Sequence, residues 1–367
     1  MILQTQPLLL MRYIGKHYFV HIAGIGIGLI VIAGLFDMVE LFRRSTGKEG
    51  ITPATVILMT ALKLPVLIQQ LLPFIILFSG LISFSKLTKA REFIIARSVG
   101  ISVWQILLFP FIISLAVGVI LISAFNPIAA KMYQQYETLD SKLLSLKKST
   151  IEVSATGIWL RDQVQDQSFI LNAAAVGNDQ NHLKNTVFYI FDENGDFKHR
   201  LDASEARLID NAWLLKQASL SQPGNAPQQL INVRVPSNLT AKTIEQNFTS
   251  DESMSFWDLP DYINQLTKAG FNTVIYQLKW HSLLSTPLLL GAMVLIAAIF
   301  TLRSSRTQKL SLILLGGLFT GFAFFLATHI LNALGLSQKI PVILAGWLPA
   351  IIALAIAISM LIHLEDG

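Results

Sequence analysis

The chain has 367 residues, 53% of them hydrophobic and 14% charged, with a net charge of +5 and no cysteine. That is too apolar for a water-soluble domain, and the missing cysteine excludes disulfides and thiolate metal sites. In so oily a chain the positive balance points to basic loops beside a membrane rather than to nucleic acid.

Six apolar runs are long enough to cross a bilayer as helices, near residues 18–36, 55–84, 103–130, 283–302, 310–331 and 342–362. The first exceeds the apolar part of a signal peptide and lacks a small-residue cleavage pattern, so it is expected to remain as a span. Gly24 and Gly28 give it a Gly-xxx-Gly face, which lets a second helix come close, from this chain or from another. Its far end carries Asp37 and Glu40, then Arg43 and Arg44. The stretch STGKEG that follows is not a phosphate loop: position 42 is Phe where the first Gly belongs, and Glu49 follows Lys48. Span two carries Lys63 between apolar neighbours. Ionisable residues inside spans are functional candidates, and Lys63, His21, His281 and His329 qualify. For a histidine, a hydrogen bond to a neighbouring helix is the plainer account.

Between spans two and three lies SKLTKAREFIIARSVGIS, residues 85–102, with Lys86, Lys89, Arg91, Glu92 and Arg97 around Phe93, Ile94 and Ile95. The pattern predicts a short amphipathic helix over about 88–98, with Thr88 as its cap, Gly100 as its terminator and Ser102 capping the next span. Such a helix is too short to stand alone. Phe93, Ile94 and Arg97 are expected either to dock into a groove of another protein or to lie on the lipid surface.

Basic residues of the short loops set the orientation. Arg12, Lys16, Lys86, Lys89, Arg91, Arg97, Arg303, Arg306 and Lys309 fall on one side, against Arg43, Arg44, Lys48 and Lys339 on the other. The first side is expected to be cytoplasmic, with both termini. Residues 140–269 then lie outside and read as short strands joined by turns, such as TVFYIF before DENGD, with a turn at Asp210 and Asn211 and a short helix capped by Ser255. Asn238 and Asn247 sit in glycosylation-type triplets that are common by chance. Span five repeats the close-approach spacing with Gly317 and Gly321. No nucleophile, metal or cofactor motif and no nucleotide loop is present, so energy for transport is expected from a partner.

A short helix between spans, in a chain without its own motor, fits the coupling helix of an ABC-type permease. RYIGK at 12–16, TKAREFIIARSVGIS, ATGIWLRD at 155–162 and YQLKWHSLLSTPLLLGAMVLIA resemble, in order and spacing, the lipopolysaccharide-export permeases LptF and LptG; the third and fourth are nearer LptG. The likeness covers nearly the whole chain. It implies an α-helical inner-membrane protein with six transmembrane helices, three plus three, around an inserted periplasmic all-β, jellyroll-like domain. The divisions are 1–139, 140–269 and 270–367. It further implies a homologous permease partner (LptF), a dimeric ATPase (LptB), a single-span protein (LptC) beside span one and a periplasmic bridge (LptA). Lipopolysaccharide enters between span one of one permease and span five of the other. Arg91, Glu92, Phe93, Ile94 and Arg97 fall in the ATPase-coupling helix, with Glu92 at its acidic position. Arg43 and Arg44 match a basic pair that contacts lipid phosphates. Asp37 stands where some relatives have a further Lys, and Val66 replaces another, with Lys63 one turn away. Gly24, Gly28, Gly317 and Gly321 remain helix-interface candidates. Two alternatives stay open: another ABC-type lipid or lipoprotein-release permease, and a membrane sensor with an external ligand-binding domain. The three-plus-three split opposes the first, and a tail of only HLEDG after span six opposes the second.

Overall fold

The computed structural model describes residues 6–48, 51–98, 100–144, 150–154, 157–164, 167–176, 182–192, 196–209, 211–222, 224–237, 250–268, 272–302 and 310–366. The basic gap 303–309, the centre of DENGD, Asp210 and both glycosylation-type triplets lie outside this set. The described chain forms two compact units. One comprises Met1–Glu137, Ser255–Trp257 and Gln277–Gly367, the other Thr138–Met254 and Asp258–Tyr276.

The first unit is helical. It contains α1 (Gln6–Ser45), α2 (Pro53–Lys89), α3 (Glu92–Ser98), α4 (Val103–Ile120), a π-helical segment (Leu121–Phe125) and α5 (Asn126–Leu143). After the β strands come α6 (Leu259–Lys268), which belongs to the second unit, and then α7 (Val274–Leu302), α8 (Leu310–Leu336) and α9 (Val342–Asp366). Among the described residues six helices are long and apolar enough to cross a membrane; the third runs unbroken through the π segment, Val103–Leu143. Prolines 65, 73, 110, 287 and 349 lie inside helices, where neighbouring helices and polar side chains can satisfy the freed carbonyls.

Tyr18 joins the first three spans. It is fully buried, its hydroxyl lies 2.9 Å from Ser114 Oγ on α4 and donates to Ile76 O on α2, and its ring stacks on Phe84. A second polar node sits at the π segment. Asn126 donates to Gln69 Oε1 at 3.0 Å and accepts from the Phe256 amide at 2.7 Å. Trp257 Nε1 donates to Ser123 O, inside the π turn. Such π turns expose backbone groups that a regular helix keeps to itself, and here one of them receives an indole.

The four glycine candidates part company. A Cβ on Gly317 would lie 2.1 Å from Leu81 Cδ1, and one on Gly321 would lie 3.1 Å from Leu77 and Phe74 atoms, so this pair lets α8 close on α2 within the chain. Gly24 and Gly28 meet nothing within 4 Å. Gly118 makes the tightest backbone approach, with a Cβ 2.6 Å from Pro287 Cα, where α4 crosses α7.

The second unit holds seven strands, β1 (Thr150–Ser154), β2 (Gly157–Val164), β3 (Gln167–Val176), β4 (His182–Phe191), β5 (Phe197–Ile209), β6 (Ala212–Ser221) and β7 (Gln228–Pro236). They form one antiparallel sheet in which each strand pairs with the next. Alternation puts Phe188, Leu171, Leu201, Trp213 and Leu215 inside, with the rings of Phe169, Phe188 and Trp213 in contact. Asn211 turns the β5–β6 hairpin at a φ of 57°, a conformation asparagine tolerates better than most residues. The sheet curls. Five strand spacings would hold β2 and β7 about 24 Å apart if flat, yet Ser237 Oγ donates to Asp162 Oδ2 at 2.7 Å. The expected all-β insert between two sets of three spans is therefore present.

These contacts predict opposite outcomes for two glycines. Gly118→Ala pushes a methyl into the Pro287 backbone and should cost about 1–3 kcal/mol, as overpacking does. Gly24→Ala meets open space and replaces a poor helix former, so it should be neutral or slightly stabilising for the isolated chain. Thermal unfolding of both variants in detergent measures the difference.

Candidate functional site

The end of α1 gathers charge. Arg43 Nε and Nη2 donate to both Glu40 carboxylate oxygens at 2.8 and 2.7 Å. Both side chains are exposed, 74% and 49%, and such a pair contributes little to stability. Lys63 Nζ donates to Asp37 Oδ1 at 2.5 Å, joining α2 to α1, and lies 5.7 Å over the Tyr136 ring of α5. This pair is more enclosed, with the Asp37 side chain only 10% exposed and its Oδ2 buried without a hydrogen-bond partner. Glu40 also feels the charges of Arg44 and Lys63. The structure thus brings Arg43, Arg44 and Lys63 near the two carboxylates of Asp37 and Glu40. The Lys63–Asp37 pairing was not visible from spacing: the two are 26 residues apart, on different helices.

The linker between α2 and α4 departs from its sequence reading. α2 continues through Thr88 to Lys89, so Thr88 caps nothing, and α3 begins only at Glu92. The reason lies in the two residues between them. Ala90 N–H bonds back to Lys86 O, and Arg91 takes a φ of 60°, turning the chain where glycine would ordinarily be used. Gly100, at a φ of 86°, ends α3, with its N–H on Arg97 O and that of Ile101 on Ala96 O. Ser102 and Gln105 form a reciprocal capping box on α4. Phe93 is not held out to a partner: it is buried and meets Phe84 edge-on. Arg91, Arg97 and Ile95 are exposed, Ile95 by 60%, so Ile95 takes the outward apolar place that the pattern gave to Phe93. The side chain of Ile94 lies outside the described set. Glu92 is half-buried, accepts from Tyr13 of α1 at 3.4 Å through Oε1, and buries Oε2 without a partner.

A cavity of about 460 Å³ opens between α2, α7 and α8, lined by Phe74, Leu77, Met293 and Phe325 with His329 and Asn332 at its polar rim. His329 stands edge-on to Phe325 at 4.2 Å, and Asn332 Oδ1 is buried without a partner. No cluster of metal-ligating side chains occurs among the described residues.

The family model described as Lipopolysaccharide export system permease LptF/LptG matches residues 12–363. The lipopolysaccharide export system permease protein LptG of Haemophilus influenzae is 24% identical over 354 residues, covering 93% of this chain and 94% of the relative. LptG of Escherichia coli strain K12 is 23% identical over 352 residues, covering 92% and 94%.

The enclosed ion pair predicts an asymmetry. Lys63→Ala strands a nearly buried carboxylate and should destabilise by roughly 2–4 kcal/mol, as broken buried pairs do. Asp37→Ala should cost less, because the ammonium keeps the Tyr136 face and more solvent. The swap of Asp37→Lys with Lys63→Asp should recover part of the loss in a denaturation series.

Proposed function

The chain belongs to the lipopolysaccharide export system permease LptF/LptG family, and from that premise we propose how its surfaces are used. It is a permease subunit of the ABC transporter that exports lipopolysaccharide, near LptG. One observation carries this: the match runs through all six spans and the β unit, from residue 12 to residue 363. As a multi-pass membrane protein of an export system it works with other proteins. In our reading these are the homologous permease LptF, the ATPase LptB, the single-span LptC and, through it, the bridge LptA.

The protein itself carries no nucleotide site in this reading, and ATP is hydrolysed by the partner ATPase. The nine-to-four distribution of basic residues supports an arrangement with both termini in the cytoplasm and the β unit in the periplasm. α3 then faces the ATPase with Ile95 and Arg97 exposed, while Phe93 holds the helix to the permease. The charged end of α1 faces the outer leaflet. There Arg43 and Arg44 meet lipid phosphates, which suit the planar guanidinium fork. Lys63 contributes charge to the same cluster but stays tied to Asp37. The cavity beside α8 has the size and apolar lining for acyl chain, and the open Gly24–Gly28 face suits a helix of another subunit.

Two experiments test this. Arg43→Glu with Arg44→Glu should abolish lipopolysaccharide crosslinking at α1, and the alanine pair should lower it. Glu40→Ala should leave it intact or raise it, because it releases Arg43 from its carboxylate. Wild-type crosslinking by the glutamate pair would remove these arginines from the site. Glu92→Ala should cut recovery of the ATPase with the purified permease by about tenfold or more, the scale of a lost charge-assisted hydrogen bond. Equal recovery would sink the coupling role.

A further inference from the structure

The carboxylate of Glu92 points the wrong way for its proposed task. It rests on the reading above that Glu92 meets the ATPase, yet Oε1 is held by the Tyr13 hydroxyl and Oε2 is covered by the chain itself. A group buried against its own span must let go before it can bind a second protein.

Tyr13 does not act alone. Tyr13, His17 and His21 stand at a spacing of four on α1, along one face. Tyr13 meets His17 edge-on at 4.6 Å. His21 Nδ1 lies 2.6 Å from His17 O, and Lys86 Nζ lies 3.0 Å from His21 Nε2. With Nδ1–H donating to the carbonyl, Nε2 is left to accept from the ammonium. One face of α1 thus touches the last turn of α2 and the first residue of α3. Deeper in, Tyr18 stacks on Phe84, and Phe84 meets Phe93 of α3. The aromatic chain is fully packed and fixes α3 as a body. The Tyr13–Glu92 bond is long, half-exposed and breakable, and it bears directly on the carboxylate.

We infer that Tyr13 is a positioning residue that parks Glu92 against span one in the resting permease, and that ATPase docking competes with Tyr13 for the carboxylate. Engagement of the ATPase then releases the cytoplasm-proximal end of α1 from α3. The same helix carries Arg43 and Arg44 at its other end, so the release gives ATPase binding a route to the span beside which lipid enters. Two discrete partners for one carboxylate supply the two-state element such coupling requires.

The sign of the prediction is unusual. Removing a parking bond should tighten, not weaken, ATPase binding. Tyr13→Phe keeps the ring and its contact with His17, and the fold should be unaltered by thermal unfolding. In lipid nanodiscs, titrated with the ATPase that co-purifies with the wild-type permease, Tyr13→Phe should bind about two- to tenfold more tightly, the range of a single modest hydrogen bond. Lipopolysaccharide released per ATP should fall, because docking no longer does work on span one. On a Glu92→Ala background Tyr13→Phe should change neither quantity; on Glu92→Gln, whose amide oxygen still accepts from a hydroxyl, the tightening should persist in part. Unchanged or weaker binding by Tyr13→Phe overturns the inference, as does an equal effect in the Glu92→Ala background. If Glu92→Ala itself binds as wild type, the coupling reading beneath fails, and the parking role with it.

Discussion

Hydrocarbon offers no water to a stranded polar group, so a polar side chain within a span gains by meeting a partner inside the protein. The helical unit is arranged around such partners. Tyr18 with Ser114 and Ile76 O binds α1, α2 and α4 together. Lys63 with Asp37 repeats the tie between α1 and α2 near their far ends. Asn126 with Gln69 and the Phe256 amide secures α5 to α2 and to the segment that precedes the second set of spans. Ser285 donates to Gly346 O, where α9 comes close enough to α7 that a Cβ on Gly346 would lie 2.8 Å from His281. Apolar packing fills the space between these points, but apolar contacts alone do not distinguish a neighbouring helix from lipid.

The same constraint explains what could be read from sequence. Spans, the β insert and the linker helix follow from local pattern, and local pattern was enough. Pairing in space was not. Lys63 looked like a free cation for lipid phosphate because its carboxylate partner lies on another helix, although the exchange of a basic residue for Asp37 was itself the signal. Thr88 looked like a cap because capping chemistry is read from residue type; nothing in residue type announces that Arg91, a poor choice for a positive φ, makes the turn instead. Phe93 and Ile95 are both apolar and two residues apart. Only the position of Phe84 decides which of them is buried. Gly24–Gly28 and Gly317–Gly321 were equivalent as strings, and only the second pair has a neighbour within the chain.

In the β unit the alternation of buried and exposed residues predicted strands, and the resemblance a jellyroll-like curl, but not the contact that brings the ends of the sheet together. The buried Asp162 was the available clue. A carboxylate on the inner side of a sheet needs a donor, and the donor, Ser237, comes from beyond the last strand. The polar residue that looks out of place in GIWLRD therefore ties β2 to the residue that follows β7.

Span one is the element on which these ties converge. α1 is a single helix of 40 residues, about 60 Å long at 1.5 Å per residue. Along most of its membrane-crossing length it presents exposed apolar side chains, among them Phe19, Ile27, Val31 and Phe36; a Cβ on Gly24 or Gly28 would meet nothing within 4 Å among the described residues, whereas one on Gly26 would lie 3.6 Å from Ile75 Cγ2. Its polar ties within the chain include Tyr13 and His21 at one end, Tyr18 a turn away and Asp37 at the other, and Ile14 and Leu41 are buried beside them. α7, by contrast, is buried along most of its span. The proposed release of Glu92 from Tyr13 acts on the more exposed of these two helices. The charged groups proposed to act in export, Glu92 at one end and the Arg43–Arg44 cluster at the other, both lie on or against this one helix.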